Sequence, residues 1–161
     1  MKQELIHELR EKFEEEKNRL GFSATFEELE EIFFLQDSIA SEGYVSEHYS
    51  RQLCARIRDT INGWIGYYHN ILMPNPGSLT AMTEAAIFSD QEKQEMVGMI
   101  NEGYSLTSLN SHAGLAKDAS EEKTFIEQAL IFWKEKMGPF NTKTMLKIHR
   151  HYKEKGISLQ G

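Results

Sequence analysis

The chain has 161 residues, 40% of them hydrophobic and 27% charged, and a net charge of −7. This is ordinary globular usage, which excludes a largely disordered chain, a collagen and a low-complexity polymer. The one cysteine, Cys54, excludes an internal disulfide framework and a multi-cysteine zinc site, and runs such as Ile32–Leu35 are far too short to span a bilayer.

The first ten residues are charged throughout and carry no signal peptide, so a soluble, cytoplasmic protein is expected. Charge is uneven along the chain: residues 1–50 sum to −8 and residues 139–161 to +4. An acidic front and a basic tail suit head-to-tail contacts within or between chains, and argue against whole-surface attraction to DNA or anionic lipid. The plainer account is a set of helices with solvated charged faces.

The elements read as consecutive helices. The first runs from Lys2 to Leu20 and stops at Gly21, with Leu5, Ile6, Leu9, Phe13 and Leu20 on one face. It is one-sided, so it packs at the periphery or pairs with a second chain. The second starts at Thr25, where Glu28 completes a capping box, and ends near Ser41. Phe26, Leu29, Ile32, Phe33 and Ile39 share a face, while Phe34 and Leu35 point elsewhere.

The third, near residues 47–72, carries the clearest stripe: Leu53, Cys54, Ile57, Ile61, Trp64, Ile65, Tyr68, Ile71 and Leu72. At about 25 residues it is roughly 40 Å long and forms the spine of the fold. Pro74–Ser78 is a rigid turn, and Ser78 caps a short helix to Phe88. Ser89 with Glu92 opens the next helix, which runs to about Lys117. Its part over 101–117 is rich in Gly, Ser, Thr and Asn, yet Val97, Ile100, Tyr104, Ser108, Ser111 and Leu115 keep helical spacing. Asp118 or Ser120 caps a sixth helix that Gly138–Pro139 ends, with Phe125, Ile126, Ala129, Leu130, Phe132, Trp133 and Met137 inward. A seventh covers about Asn141–Lys155 with Met145, Ile148, His149 and Tyr152 inward, and 156–161 form a frayed tail. The expectation is therefore a single-domain all-α bundle over 1–161, of six or seven mostly antiparallel helices around a long central one.

Four chemistries can be weighed. For a metal, Glu4–His7 is the only Glu-x-x-His and no His-x-x-x-His occurs, so neither a metal site nor a cofactor is expected. For nucleophilic catalysis, Cys54 sits inside an apolar stripe, where a thiol is an inert core residue, and no catalytic motif is present. For an anionic ligand, Arg51, Arg58, Asn62 and His69 line one edge of the spine helix, and Ser108, Ser111 and His112 line the side of the fifth helix read as inward. If the two faces meet they form a polar pocket for a carboxylate or phosphate. The plain alternative is interhelical hydrogen bonding and ion pairing that leaves no empty space.

For nucleic acid, Lys143, Lys147 and Arg150 share the outer face of the last helix with His151 beside them, a short basic stripe without interleaved aromatics. Protein association is the broadest class. Tyr49 and Tyr67 lie just off the spine stripe beside Arg56 and Gly63, residue types and a small residue that suit an interface. The sequence is read first as a helical binding and assembly module, leaning away from an enzyme, with a homodimer or another protein as partner and no membrane contact. A protein or enzyme taking a small anion is the second reading, and a nucleic-acid binder the least favoured.

Overall fold

The computed structural model describes residues 2–157, and all regular structure among them is helical. In chain order the helices are α1 (Lys2–Leu20), α2 (Phe26–Phe33), α3 (Leu35–Glu42), α4 (Tyr49–Leu72), α5 (Leu79–Ile87), α6 (Asp90–Ala116), α7 (Ala119–Phe132) and α8 (Gly138–Glu154). A π-helical turn, Trp133–Met137, joins the last two. No helix among the described residues is long and apolar enough to cross a membrane. Of the tail expected at 156–161, residues 158–161 lie outside the described residues.

The bundle divides into two compact units, one built from the residues up to Ile61 with Ser105–Ile131, the other from Asn62–Tyr104 with the residues from Phe132 on. In the first unit α1 packs on α3, and Leu9, Phe13, Leu29, Phe33, Ile57, Ile61, Phe125 and Ile126 are fully buried. Gly21 stops α1 with φ +84°, a conformation that favours glycine. Thr25 caps α2: its hydroxyl accepts from Glu28 N–H at 3.2 Å while the Glu28 carboxylate accepts from Thr25 N–H at 3.2 Å.

The expected single helix over 25–41 is two helices. Phe34 takes the left-handed conformation, φ 53°, and is 52% exposed. The reason is a phase slip in the apolar pattern. A continuous helix cannot point both Phe33 and Leu35 inward, since neighbours stand about 100° apart. The break buries both and turns Phe34 out. Three bonds fix it: Phe34 N–H donates to Glu30 C=O at 3.0 Å, Arg56 Nε donates to Phe33 C=O at 2.6 Å, and the Glu30 carboxylate accepts from Gln36 N–H at 2.9 Å.

In the second unit α5 packs on α8, and Tyr68, Met96 and Met137 are fully buried. Ser78 caps α5 by accepting from Ala81 N–H at 3.2 Å, and Ser89 with Glu92 forms the second capping box at 3.0 and 3.2 Å. The stop expected at Gly138–Pro139 does not occur. The chain stays helical by widening: Gly138 N–H donates to Trp133 C=O, five residues back. The wider turn accommodates Pro139, whose ring and missing N–H would break a regular α-helix. It leaves no room beside Gly138, where a Cβ would come within 2.8 Å of the Trp133 carbonyl.

Two buried faces also differ from those expected. On α6 the residues that are buried are Met96, Ile100, Gly103, Leu106, Thr107, Asn110 and Ala113, while Val97, Tyr104, Ser108, Ser111 and Leu115 are exposed. The segment 101–117 is thus helical to Ala116 but rotated from the expected phase, because polar Thr107 and Asn110 go inward and apolar Tyr104 and Leu115 outward. On α8 the buried residues are Phe140, Asn141, Thr144 and Ile148, with Met145 and His149 exposed. There the buried Tyr68 hydroxyl donates to Asn141 Oδ1.

Candidate functional site

Three basic residues of α8, Lys147, Arg150 and His151, come together on one cleft of the second unit. It has a volume of about 320 Å³ and is lined by Ala86 and Ile87 of α5 and by Lys147, Arg150, His151, Glu154 and Lys155. Three of these are residues singled out in the sequence as a basic stripe. Spacings of three and four place them along one side of α8, and the packing of α5 on α8 supplies the opposite wall. Lys143 lies exposed on the same helix, outside the cleft lining.

Each cation is held differently. Lys147 donates to Glu92 Oε1 at 2.5 Å and stands 5.5 Å from the centre of the Phe88 ring. Burial pushes the Glu92 carboxyl up, but the hydrogen bonds from Lys147 and Ser89 outweigh it and hold the group below the usual range. Lys147 is therefore an anchored, largely compensated charge. Arg150 is exposed and has no carboxylate partner among the described residues. The Nε2 of His151 is buried without a hydrogen-bond partner among the described residues. Glu154 is the one acid in the lining. Cations here also suit the carbonyl-rich C-terminal end of α8.

The seven residues proposed to line an anion pocket divide between the units. In the first, Arg51 Nη1 donates to the buried Glu122 carboxylate at 2.9 Å. Arg58 pairs with its chain neighbour Asp59 at 2.9 Å. Ser108 and Ser111 are exposed and donate back to the carbonyls of Ser105 and Thr107. Exposed His112 pairs with Glu121 at 2.6 Å, which raises its pKa, first through the hydrogen bond and then through the carboxylate charge. The expectation that Ser108, Ser111 and His112 face inward is corrected by the rotated phase of α6. In the second unit Asn62 is exposed, and exposed His69 meets the Tyr104 hydroxyl at 3.0 Å through Nε2.

The interface residues also separate. Tyr49 is a core residue, 2% exposed, and presents no surface, contrary to the reading that set it at an interface. Arg56 is committed to the Phe33 carbonyl. Tyr67 donates to Glu84 at 3.3 Å. Gly63 and Gly66 are exposed, and a Cβ at either would meet nothing within 4 Å. The structure therefore gives neither glycine a packing reason in the free chain. Gly63→Ala and Gly66→Ala are each expected to stabilise it by about 0.5–1 kcal/mol, the helix-propensity difference. Thermal unfolding checks this: each kcal/mol is worth about 2–4 °C at this size. A fall in midpoint would show that something packs on that face.

Cys54 is buried, and burial, then the charge of Glu122, pushes its thiol up to about 12, so the thiolate needed for nucleophilic attack does not form near neutral pH. Among the described residues no group of three or more His, Cys, Asp or Glu could hold a metal ion. The sequence signal for the basic cleft was the spacing of Lys147, Arg150 and His151. Ala86 and Ile87 carried none, because they are ordinary apolar positions until α5 is placed. Compared with known protein families, curated proteins and solved structures, the chain matches none.

Proposed function

We infer that the protein is a binding module and that its basic cleft takes an acidic segment of a protein partner. The observation that carries this is the convergence of Lys147, Arg150, His151 and Lys155 on one cleft that holds a single carboxylate. Arg150 and Lys155 offer exposed charge, and the Ala86–Ile87 wall offers apolar contact beside it. A charged rim beside an apolar wall is the composition of a protein interface. A second copy is a partner of the right sign, since residues 1–50 carry −8.

The test is fluorescence anisotropy with a labelled hexaglutamate peptide at low ionic strength, with an RNA oligonucleotide as the comparison. The expected result is saturable peptide binding that weakens with salt and falls roughly tenfold in Arg150→Glu/Lys155→Glu, as the loss of about 1.4 kcal/mol over two exposed contacts predicts. Absence of peptide binding, or binding indifferent to the charge reversal, overturns the proposal. Tighter binding of RNA through the same residues moves the site to nucleic acid. Sedimentation of the wild-type chain over a salt series reports whether the partner is a second copy.

A further inference from the structure

We propose that a second cleft, formed by the end of α4, the Pro74–Ser78 turn and α5, is a binding site for a small organic cation, an alkylammonium or guanidinium group, held by Glu84. The cleft has a volume of about 350 Å³ and lies in the second unit. Its lining is Tyr67, Asn70, Ile71, Asn75, Ser78, Thr80, Ala81 and Glu84, with no lysine, arginine or histidine among them. Glu84 is the only charged residue of α5. Its carboxylate is half-buried, accepts from the Tyr67 hydroxyl at 3.3 Å and has no ion-pair partner among the described residues.

A half-buried carboxylate gives up part of its hydration and gains from a further partner. One phenol satisfies only part of an anion with about four lone-pair sites. A cation in the cleft would supply the rest. The other groups fit that ligand. Ile71 and Ala81 offer apolar contact to an alkyl stem, and Asn70 and Thr80 offer neutral oxygen acceptors to the N–H groups. Asn75 and Ser78 are already engaged, accepting from Gly77 N–H at 2.9 Å and Ala81 N–H at 3.2 Å. Tyr67 is fixed from behind by Trp64 and Tyr68, each with ring centres 5.9 Å away. Its phenol is pushed up, first by burial and then by the Glu84 charge, so it stays a donor to the carboxylate. The volume is at the small end of ligand sites, which suits a compact amine.

The experiment is amide-resolved NMR titration of the full chain with n-butylammonium chloride, against n-butanol, sodium butyrate and sodium chloride. The expected result is saturable shifts at Ile71 and Ala81 with butylammonium, in the millimolar range for so small a ligand, and none with the other three. Glu84→Gln keeps the size of the side chain and its hydrogen bond, and is expected to weaken the binding at least tenfold. No saturable shift in the wild type overturns the proposal, as does equal binding of butanol, which would mean apolar contact alone. Binding of butyrate instead would mean that the N–H groups of the first turn of α5 dominate, and overturns it too. Glu84 does not line the basic cleft, so Glu84→Gln leaves hexaglutamate binding unchanged, and Arg150→Glu/Lys155→Glu leaves butylammonium binding unchanged. The two sites therefore fail or hold separately.

Discussion

Phe13→Ala is expected to destabilise the protein by about 3–5 kcal/mol, the range for truncating a buried aromatic ring. Phe13 is fully buried, and three rings meet it edge-on: Phe22 at 5.7 Å, Phe26 at 5.3 Å and Tyr49 at 6.5 Å. These come from the segment after α1 and the first residues of α2 and α4, so one side chain ties three stretches of the first unit together. Its removal loses the burial of the ring, leaves a cavity, and forfeits edge contacts worth about 0.5–1.5 kcal/mol per pair. The loss is large against a total stability of about 5–15 kcal/mol. Urea unfolding followed by circular dichroism measures it as a shift in midpoint at constant slope. Phe34→Ala is the matched control: Phe34 is 52% exposed, and its truncation is expected to change stability by less than about 1 kcal/mol. A loss below 1 kcal/mol for Phe13→Ala would mean that α1 is not seated on α2 and α4, and would return α1 to the surface available to a second chain.

That prediction rests on a position the sequence made legible. Phe13 belongs to the apolar face of α1, and both ends of α1 followed from local chemistry: a charged start and a glycine that alone tolerates φ +84° with ease. The capping boxes at Thr25 and Ser89 were equally local, since donor and acceptor lie three residues apart. The spine stripe was legible because α4 buries its apolar residues and little else. Where a distant residue decides, the pattern failed. The break at Phe34 depends on Arg56, 23 positions away, taking the Phe33 carbonyl. The phase of α6 depends on burying Thr107 and Asn110, which no apolar periodicity marks. The π-turn hid behind Gly138–Pro139, which reads as a stop in an α-helix and is accommodated in a wider one.

The candidate sites divide on the same line. Lys147, Arg150 and His151 were visible because one helix presents all three, whereas the cleft they line exists only once α5 covers it. Glu84 carries a fainter signal, a lone acid in a nine-residue helix of otherwise uncharged residues. The proposed row from Arg51 to His112 joined residues with separate partners: carboxylates on α7 for Arg51 (Glu122) and His112 (Glu121), Asp59 for Arg58 and the Tyr104 hydroxyl for His69. Of the seven only Arg58 is half-buried and the others are exposed, and the partners of Arg51 and His112 come near only through the α6–α7 turn.

Those carboxylates give the second large effect: Arg51→Ala is expected to destabilise the protein by about 2–3 kcal/mol at neutral pH. Breaking a buried ion pair from one side costs about 3–5 kcal/mol, and the figure is lowered here because the Arg51 side chain is 47% exposed. Glu122 is 6% exposed as a residue, and with Arg51 gone its remaining cation is Arg19, at 3.8 Å. Arg19 is itself engaged by the buried Glu16, through Nε at 3.1 Å and Nη2 at 2.8 Å, and Ser50 N–H donates to the same carboxylate at 3.2 Å. Two buried acids thus depend on two guanidinium groups, with Arg19 shared between them, and loss of Arg51 leaves Glu122 with the more distant, already engaged one. In a Glu122→Gln background Arg51→Ala is expected to cost less than about 1 kcal/mol, so the double-mutant cycle carries the coupling. Gly114→Ala is expected to mimic Arg51→Ala despite its better helix propensity, because the new Cβ would lie 2.0 Å from Arg51 Nη2 and push the guanidinium off Glu122. The pH dependence follows from Glu16. The hydrogen bond from Arg19 holds its carboxyl below the usual range, against the opposing effect of burial. A lowered folded pKa gives stability that is complete above the ordinary carboxyl value of about 4.3 and fades as pH falls from there through the folded value. Arg19→Ala is therefore expected to flatten the acid limb of the stability–pH curve, while Arg51→Ala lowers the neutral plateau. An acid limb unchanged in Arg19→Ala would show that Glu16 draws no stabilisation from it, and that the pairing of the two acids with the two arginines is not what holds α7 against α1 and α4.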